Sequence, residues 1–117
     1  MRNTIKNHND FITDRKFPFS AGELFTVRTR PTRDISDPRY GLVVSKRNFR
    51  FAVSRNRAKR LLRDWIRFAD EYMCSDLDYV FFAHPRILDA DITRDVGRGE
   101  MVRALNEIKH RYEIPKK

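Results

Sequence analysis

From residue 55 to residue 73 the apolar side chains Ala58, Leu61, Leu62, Trp65, Ile66, Ala69, Tyr72 and Met73 recur at intervals of three and four. That period fits one long amphipathic α-helix and no strand. Such a helix must dock its apolar side on another layer, so the chain has to supply a sheet or further helices as the opposing wall. The other side is equally restrictive. Arg55, Lys59 and Arg63 run along it, and Asn56, Arg60, Arg63 and Arg67 form an adjoining stripe. Residues 46–67 hold nine of the chain's 25 Lys and Arg but only one of its 16 Asp and Glu, Asp64. Nearly all of the formal net charge of +9 therefore sits in this one segment.

Solvated helix faces usually intersperse Glu and Asp with their cations, because like charges three and four residues apart repel. Between Arg55 and Arg63 there is no carboxylate, so this face is expected to meet a polyanion. Lys46, Arg47, Arg50, Arg55, Asn56, Arg57, Lys59, Arg60, Arg63 and Arg67 are the candidate nucleic-acid contacts. Arginine adds planar, bidentate phosphate contacts that lysine cannot make. Asn56 is expected near the start of the helix, where its amide can cap the backbone or bond a phosphate or a base.

The remaining elements are read around that helix. Residues 1–117 are long enough for one domain with its own core, and nine Phe argue for packing rather than disorder. A short helix is expected over residues 4–15, with Thr4 as its cap and Ile5, Phe11 and Ile12 as apolar contacts. Residues 24–30 alternate, with Phe25, Val27 and Thr29 on one face and Leu24, Thr26, Arg28 and Arg30 on the other, as in a strand half-buried or covered by a charged ligand. A second strand is expected at residues 40–45 (YGLVVS) and a buried one at 79–84 (YVFFAH), closed by Pro85. A last helix over 98–113 would bury Met101, Leu105, Ile108 and Tyr112. Helices against a small mixed sheet make this an α+β chain. With no long apolar run, neither a signal peptide nor a membrane span is expected, and lone Cys74 suits a reducing, cytoplasmic setting.

No residue set has the spacing of an active site. His8, His84 and His110 are dispersed, and Asp89, Asp91 and Asp95 read as a solvated loop and a helix start rather than a metal cluster. Gly97 and Gly99 follow no strand, so a phosphate loop is not expected. No catalytic or metal-ligating residue is therefore assigned. If the protein takes part in catalysis, a partner is expected to supply the reactive groups.

The run Gly41-Leu42-Val43-Val44-Ser45-Lys46-Arg47-Asn48, then Arg50 and Ala52, then Arg55-Asn56-Arg57-Ala58-Lys59-Arg60-Leu61-Leu62-Arg63, resembles the signature of the bacterial ribonuclease P protein subunit. The resemblance extends over essentially the whole chain. It implies an αβββαβα fold, shared with a domain of a small-subunit ribosomal protein, with the basic helix in a left-handed βαβ crossover. It further implies binding to the catalytic RNA subunit of ribonuclease P and assistance in removing the 5′ leader of precursor tRNA. In that family the RNA performs the hydrolysis with magnesium, and the protein needs no cofactor and no obligate protein partner. The same resemblance places Phe11, Phe25 and Val27 in a cleft that meets the single-stranded leader, where aromatic stacking suits unpaired bases. Core packing is the competing role for Phe11 and Phe25. Between Phe11 and Phe25 the chain departs from the family pattern, being shorter, with Arg15 where a second aromatic often stands.

Three other readings share part of this evidence. A ribosomal or ribosome-assembly protein would be equally basic and non-catalytic. A DNA-binding regulator would place residues 55–67 in a major groove, although the strand expected at 40–45 leaves no preceding helix for a helix-turn-helix. A nuclease acting alone lacks the acid–base and metal residues it would need.

Overall fold

The computed structural model describes residues 2–6, 16–33 and 38–113. Five strands form one mixed sheet: β1 (Asn3–Thr4), β2 (Phe19–Ala21), β3 (Phe25–Pro31), β4 (Arg39–Val43) and β5 (Leu77–Ala83). Their order is β1-β4-β5-β3-β2, with β1, β4 and β5 parallel and β3 antiparallel to both β5 and β2. Helix α1 (Ala52–Phe68) connects β4 to its parallel neighbour β5, and helix α2 (Arg94–Glu113) ends the described chain. No helix among the described residues is long and apolar enough to cross a membrane.

Pleating sorts the sheet into two faces. Phe25, Val27 and Thr29 of β3 pair with Ala83, Phe81 and Tyr79 of β5, and Tyr40 of β4 pairs with Tyr79 from the other side. These residues are buried under both helices. From α1 come Ala58, Leu62, Trp65 and Ile66, and from α2 Met101, Ala104, Leu105 and Ile108, one side of each helix. Full burial of a large apolar side chain is worth about 1.5–3 kcal/mol, so α1 is held mainly by Leu62, Trp65 and Ile66. The two helices meet where the Trp65 indole lies against Gly97, a buried position with no room for a side chain. Thr93 begins α2 by accepting the Val96 N–H at 3.3 Å.

The three strands and two helices expected between residues 24 and 113 are present, several with shifted boundaries, and β1 and β2 are additional. Strand β4 stops at Val43, so residues 44–51 form a connecting turn. Helix α1 starts three residues earlier than expected and ends at Phe68, followed by a 3₁₀ turn at Asp70–Tyr72. Strand β5 starts two residues early and α2 four residues early. Thr4 is no helix cap. It lies in β1, paired with Tyr40, and Ile5 behind it is buried. The rest of the expected first helix, Phe11 and Ile12 included, lies outside the described residues.

Candidate nucleic-acid interface

The basic segment is positioned from both ends. After β4, Ser45 organises a turn: its hydroxyl accepts the Asn48 N–H at 3.2 Å and its carbonyl the Phe49 N–H at 2.9 Å. The Phe49 side chain is buried and anchors the turn in the core. Arg55 then donates from Nη1 to the carbonyls of Phe49 (2.8 Å) and Arg50 (3.3 Å), tying the first turn of α1 to the segment before it. Arg55 is thus a half-buried brace as well as a charge. Asn56 cannot be the cap, since α1 starts at Ala52; it sits one turn inside the helix, exposed.

The other cations stand outward. Lys46, Arg47, Arg50, Arg57, Arg60, Arg63 and Arg67 are exposed, and Lys59 is half-buried. At 1.5 Å per residue, Arg57 to Arg67 spans about 15 Å along one rigid helix. The contrast with arginines elsewhere is informative. Arg86 pairs with Glu23, Asp89 and Asp91, Arg103 with Glu100 and Glu107, and Arg111 with Glu107. None of Arg57, Lys59, Arg60, Arg63 and Arg67 has a carboxylate within ion-pair distance among the described residues. The segment's one carboxylate, Asp64, is taken by α2: Arg98 grips it in a bidentate pair at 3.0 and 3.2 Å. These bonds hold the Asp64 carboxyl below its ordinary pKa, outweighing its partial burial. Arg98 also lies over the Phe68 ring, 4.7 Å from its centroid. The fold therefore neutralises the only negative charge on α1 and leaves its outward cations without an acid on their own helix.

On the sheet face away from α1, a groove of about 420 Å³ is lined by Thr26, Arg28, Val43, Ser45, Asn48, Phe82, Ala83 and His84. The Thr26 hydroxyl and His84 Nε2 are hydrogen-bonded at 2.7 Å across it. Ser45 and Asn48 belong to the basic turn, so the groove adjoins that turn. Among the described residues no three His, Cys, Asp or Glu side chains converge as metal ligands.

The sequence pattern of the family described as Ribonuclease P matches residues 2–109, nearly the whole chain. This chain belongs to the ribonuclease P protein family. It is 36% identical over 107 residues to the ribonuclease P protein component of Nitratiruptor sp., covering 91% of this chain and 90% of that one. With the Pasteurella multocida component it shares 37% over 76 residues, 65% of this chain and 61% of the relative. The chain thus spans about three-fifths of the length of that relative. Its fold is that of the RNase P protein from Thermotoga maritima, with a TM-score of 0.72, 21% identity and coverage of 90% and 96%. The Staphylococcus aureus RNase P protein superposes with a TM-score of 0.66 at 23% identity, covering 97% of this chain and 98% of that one.

The family signature and the geometry meet in α1, where the Arg55-Asn56-Arg57 run opens the exposed stripe. The leader-cleft residues require correction. Phe25 is only 3% exposed, its ring centroid 6.2 Å from that of Trp65, and Val27 is fully buried. Both lie on the helix-covered face, because an apolar residue in an alternating strand follows the core. The open groove instead carries the residues of opposite parity, Thr26 and Arg28 from β3 and Phe82 from β5, together with His84. The alternation of residues 24–30 already separated Arg28 from Phe25, and that was the signal for the groove. Phe11 lies outside the described residues.

Proposed function

We propose that this chain is the protein component of a bacterial ribonuclease P, working in the cytoplasm on tRNA 5′ maturation. In this reading α1 and the preceding turn bind the catalytic RNA through Lys46, Arg47, Arg50, Asn56, Arg57, Lys59, Arg60, Arg63 and Arg67, with Arg55 bracing them. The observation that carries the reading is the row of cations on α1 that have no carboxylate partner among the described residues, on a helix whose one acid is held by Arg98. Phosphates are the groups that such a row neutralises, with release of counterions. The open groove beside it, with Arg28, Phe82 and His84, is the surface proposed for the single-stranded leader of precursor tRNA. An aromatic and a cation side by side suit an unpaired strand. Phosphodiester hydrolysis is assigned to the RNA subunit and its magnesium, with the protein reducing repulsion between the RNA and its substrate. No obligate protein partner is invoked.

The test is reconstitution with the ribonuclease P RNA transcribed from the same genome. At low magnesium the protein is expected to raise the rate of precursor-tRNA cleavage, while RNA-free protein cleaves nothing. Cleavage by RNA-free protein near the holoenzyme rate, or no effect on the RNA, would overturn the proposal. Copurification of ribosomal RNA instead of a single RNA of ribonuclease P type would favour the ribosomal reading.

A further inference from the structure

We propose that Phe51 is a stacking platform for an unpaired base of the RNA that α1 binds, with Arg50 supporting the ring; this rests on α1 being the RNA-binding helix. Among the described residues Phe51 is the most exposed aromatic, at 66%, and Val53 beside it is 78% exposed. The other exposed aromatics have uses within the fold. Phe68 is covered by Arg98, and the Tyr112 hydroxyl donates to Asp76 at 2.6 Å. Among the described residues the ring contact of Phe51 is with the exposed Arg50, whose guanidinium lies 5.8 Å from the ring centroid.

The position makes this choice stranger. Phe51 is the N-cap of α1, with extended backbone and no side-chain hydrogen bond to the first turn. Ser, Thr, Asp or Asn there would stabilise the helix, and phenylalanine forgoes that while leaving an aromatic ring in water. The residue is therefore unfavourable for folding in two ways at once, in the most cationic segment of the chain. Lys46, Arg47 and Arg50 precede it, and Arg55 and Arg57 follow. A partner that satisfies both the charge and the ring must carry anions and flat apolar surfaces together. Nucleic acid does, and within it a base face is free only where the strand is unpaired or a stack ends.

The test compares binding of the ribonuclease P RNA transcribed from the same genome to wild type and to the variants Phe51→Ser, Phe51→Leu and Phe51→Trp, with Arg60→Glu in parallel. Stacking of one base predicts that Phe51→Ser and Phe51→Leu bind about 5- to 150-fold more weakly, while Phe51→Trp stays close to wild type. Because no phosphate contact is lost, the salt dependence of binding should keep its slope in all three. Thermal unfolding should show Phe51→Ser as stable as wild type or more so, which separates lost stacking from lost fold. Binding of Phe51→Ser and Phe51→Leu within twofold of wild type, while Arg60→Glu weakens binding and flattens the slope, would overturn the platform and spare the helix. If Arg60→Glu is also silent, the RNA-binding reading of α1 falls and the platform with it.

Discussion

Replacing Gly97 by alanine should be far more damaging than any other small change in α2, because of where the Trp65 indole lies. A Cβ at Gly97 would stand 2.0 Å from Trp65 Cε2, 2.1 Å from Cζ2 and 2.5 Å from Nε1. Ordinary carbon contacts lie near 3.5–4.0 Å, so the indole or the helix must shift by about 1.5 Å. Trp65 is buried at the helix junction with Phe25 behind it, and has little room to move. Overpacking of this kind costs about 1–3 kcal/mol and sometimes more. The better helix propensity of alanine returns about 1 kcal/mol. A net loss of up to about 2 kcal/mol is expected, or up to about 8 °C in Tm for a chain of this size. Gly99→Ala is the control: nothing lies within 4 Å of its Cβ, so propensity alone should raise Tm by a few degrees. Trp65→Phe should partly rescue Gly97→Ala, since the ring atoms in conflict are removed and the indole N–H has no hydrogen-bond partner to lose. Thermal unfolding followed by circular dichroism measures all four proteins. A Gly97→Ala variant as stable as Gly99→Ala would refute the packing of α1 on α2 through this contact.

Further outcomes follow from the charge pairing and the sheet faces. Asp64→Asn should lower stability by about 0.5 kcal/mol, as for a partly exposed ion pair, yet tighten RNA binding by removing the only acid from the basic segment and freeing Arg98. The folded Asp64 carboxyl titrates below its ordinary value, so the pair's stabilisation is present above about pH 5 and lost on acidification through the lowered pKa. Urea denaturation of both proteins at neutral and acidic pH should therefore show a difference that closes in acid, and a difference that widens there would contradict the pairing. Phe25→Ala should cost about 3–5 kcal/mol of folding stability as a core truncation. Arg28→Glu should instead leave a folded protein that loses affinity for precursor tRNA with a long leader and keeps it for leaderless tRNA. Equal losses on both substrates would remove the groove from leader recognition.

How much of this was legible in the chain depends on the range of the interaction. Helix α1 was readable because Leu62, Trp65 and Ile66 recur at helical spacing, and the exposed cations follow as its other side. Its start was not, because Phe51 carries none of the usual capping chemistry. Strand β2 is three residues long between Pro18 and Gly22, too short to show alternation, and is held by pairing with β3. Strand β1 has two residues and exists through β4. The Asp64–Arg98 pair joins side chains 34 positions apart on different helices, and no local pattern announces it. For Gly97 the sequence argued only against a phosphate loop; the position of Trp65 explains the residue. Phe25 and Val27 were placed in a leader cleft through the family resemblance, whereas the strand's alternation only set them on the face opposite Arg28, and that face is the buried one.

The exposed face of α1 as the RNA footprint is tested most directly by the salt dependence of RNA affinity in wild type, Arg60→Glu, Arg63→Glu and Lys109→Glu. If about five to eight cations each neutralise one phosphate, the log–log slope for wild type should lie near −4 to −7, at roughly 0.7–0.9 per contact. Arg60 and Arg63 are exposed on α1, and Lys109 is exposed on α2. Reversal at Arg60 or Arg63 should weaken binding and flatten the slope by at least about one contact's worth, whereas Lys109→Glu should leave both nearly unchanged. Equal effects at all three positions would mean that RNA responds to net charge alone and that α1 is not its footprint.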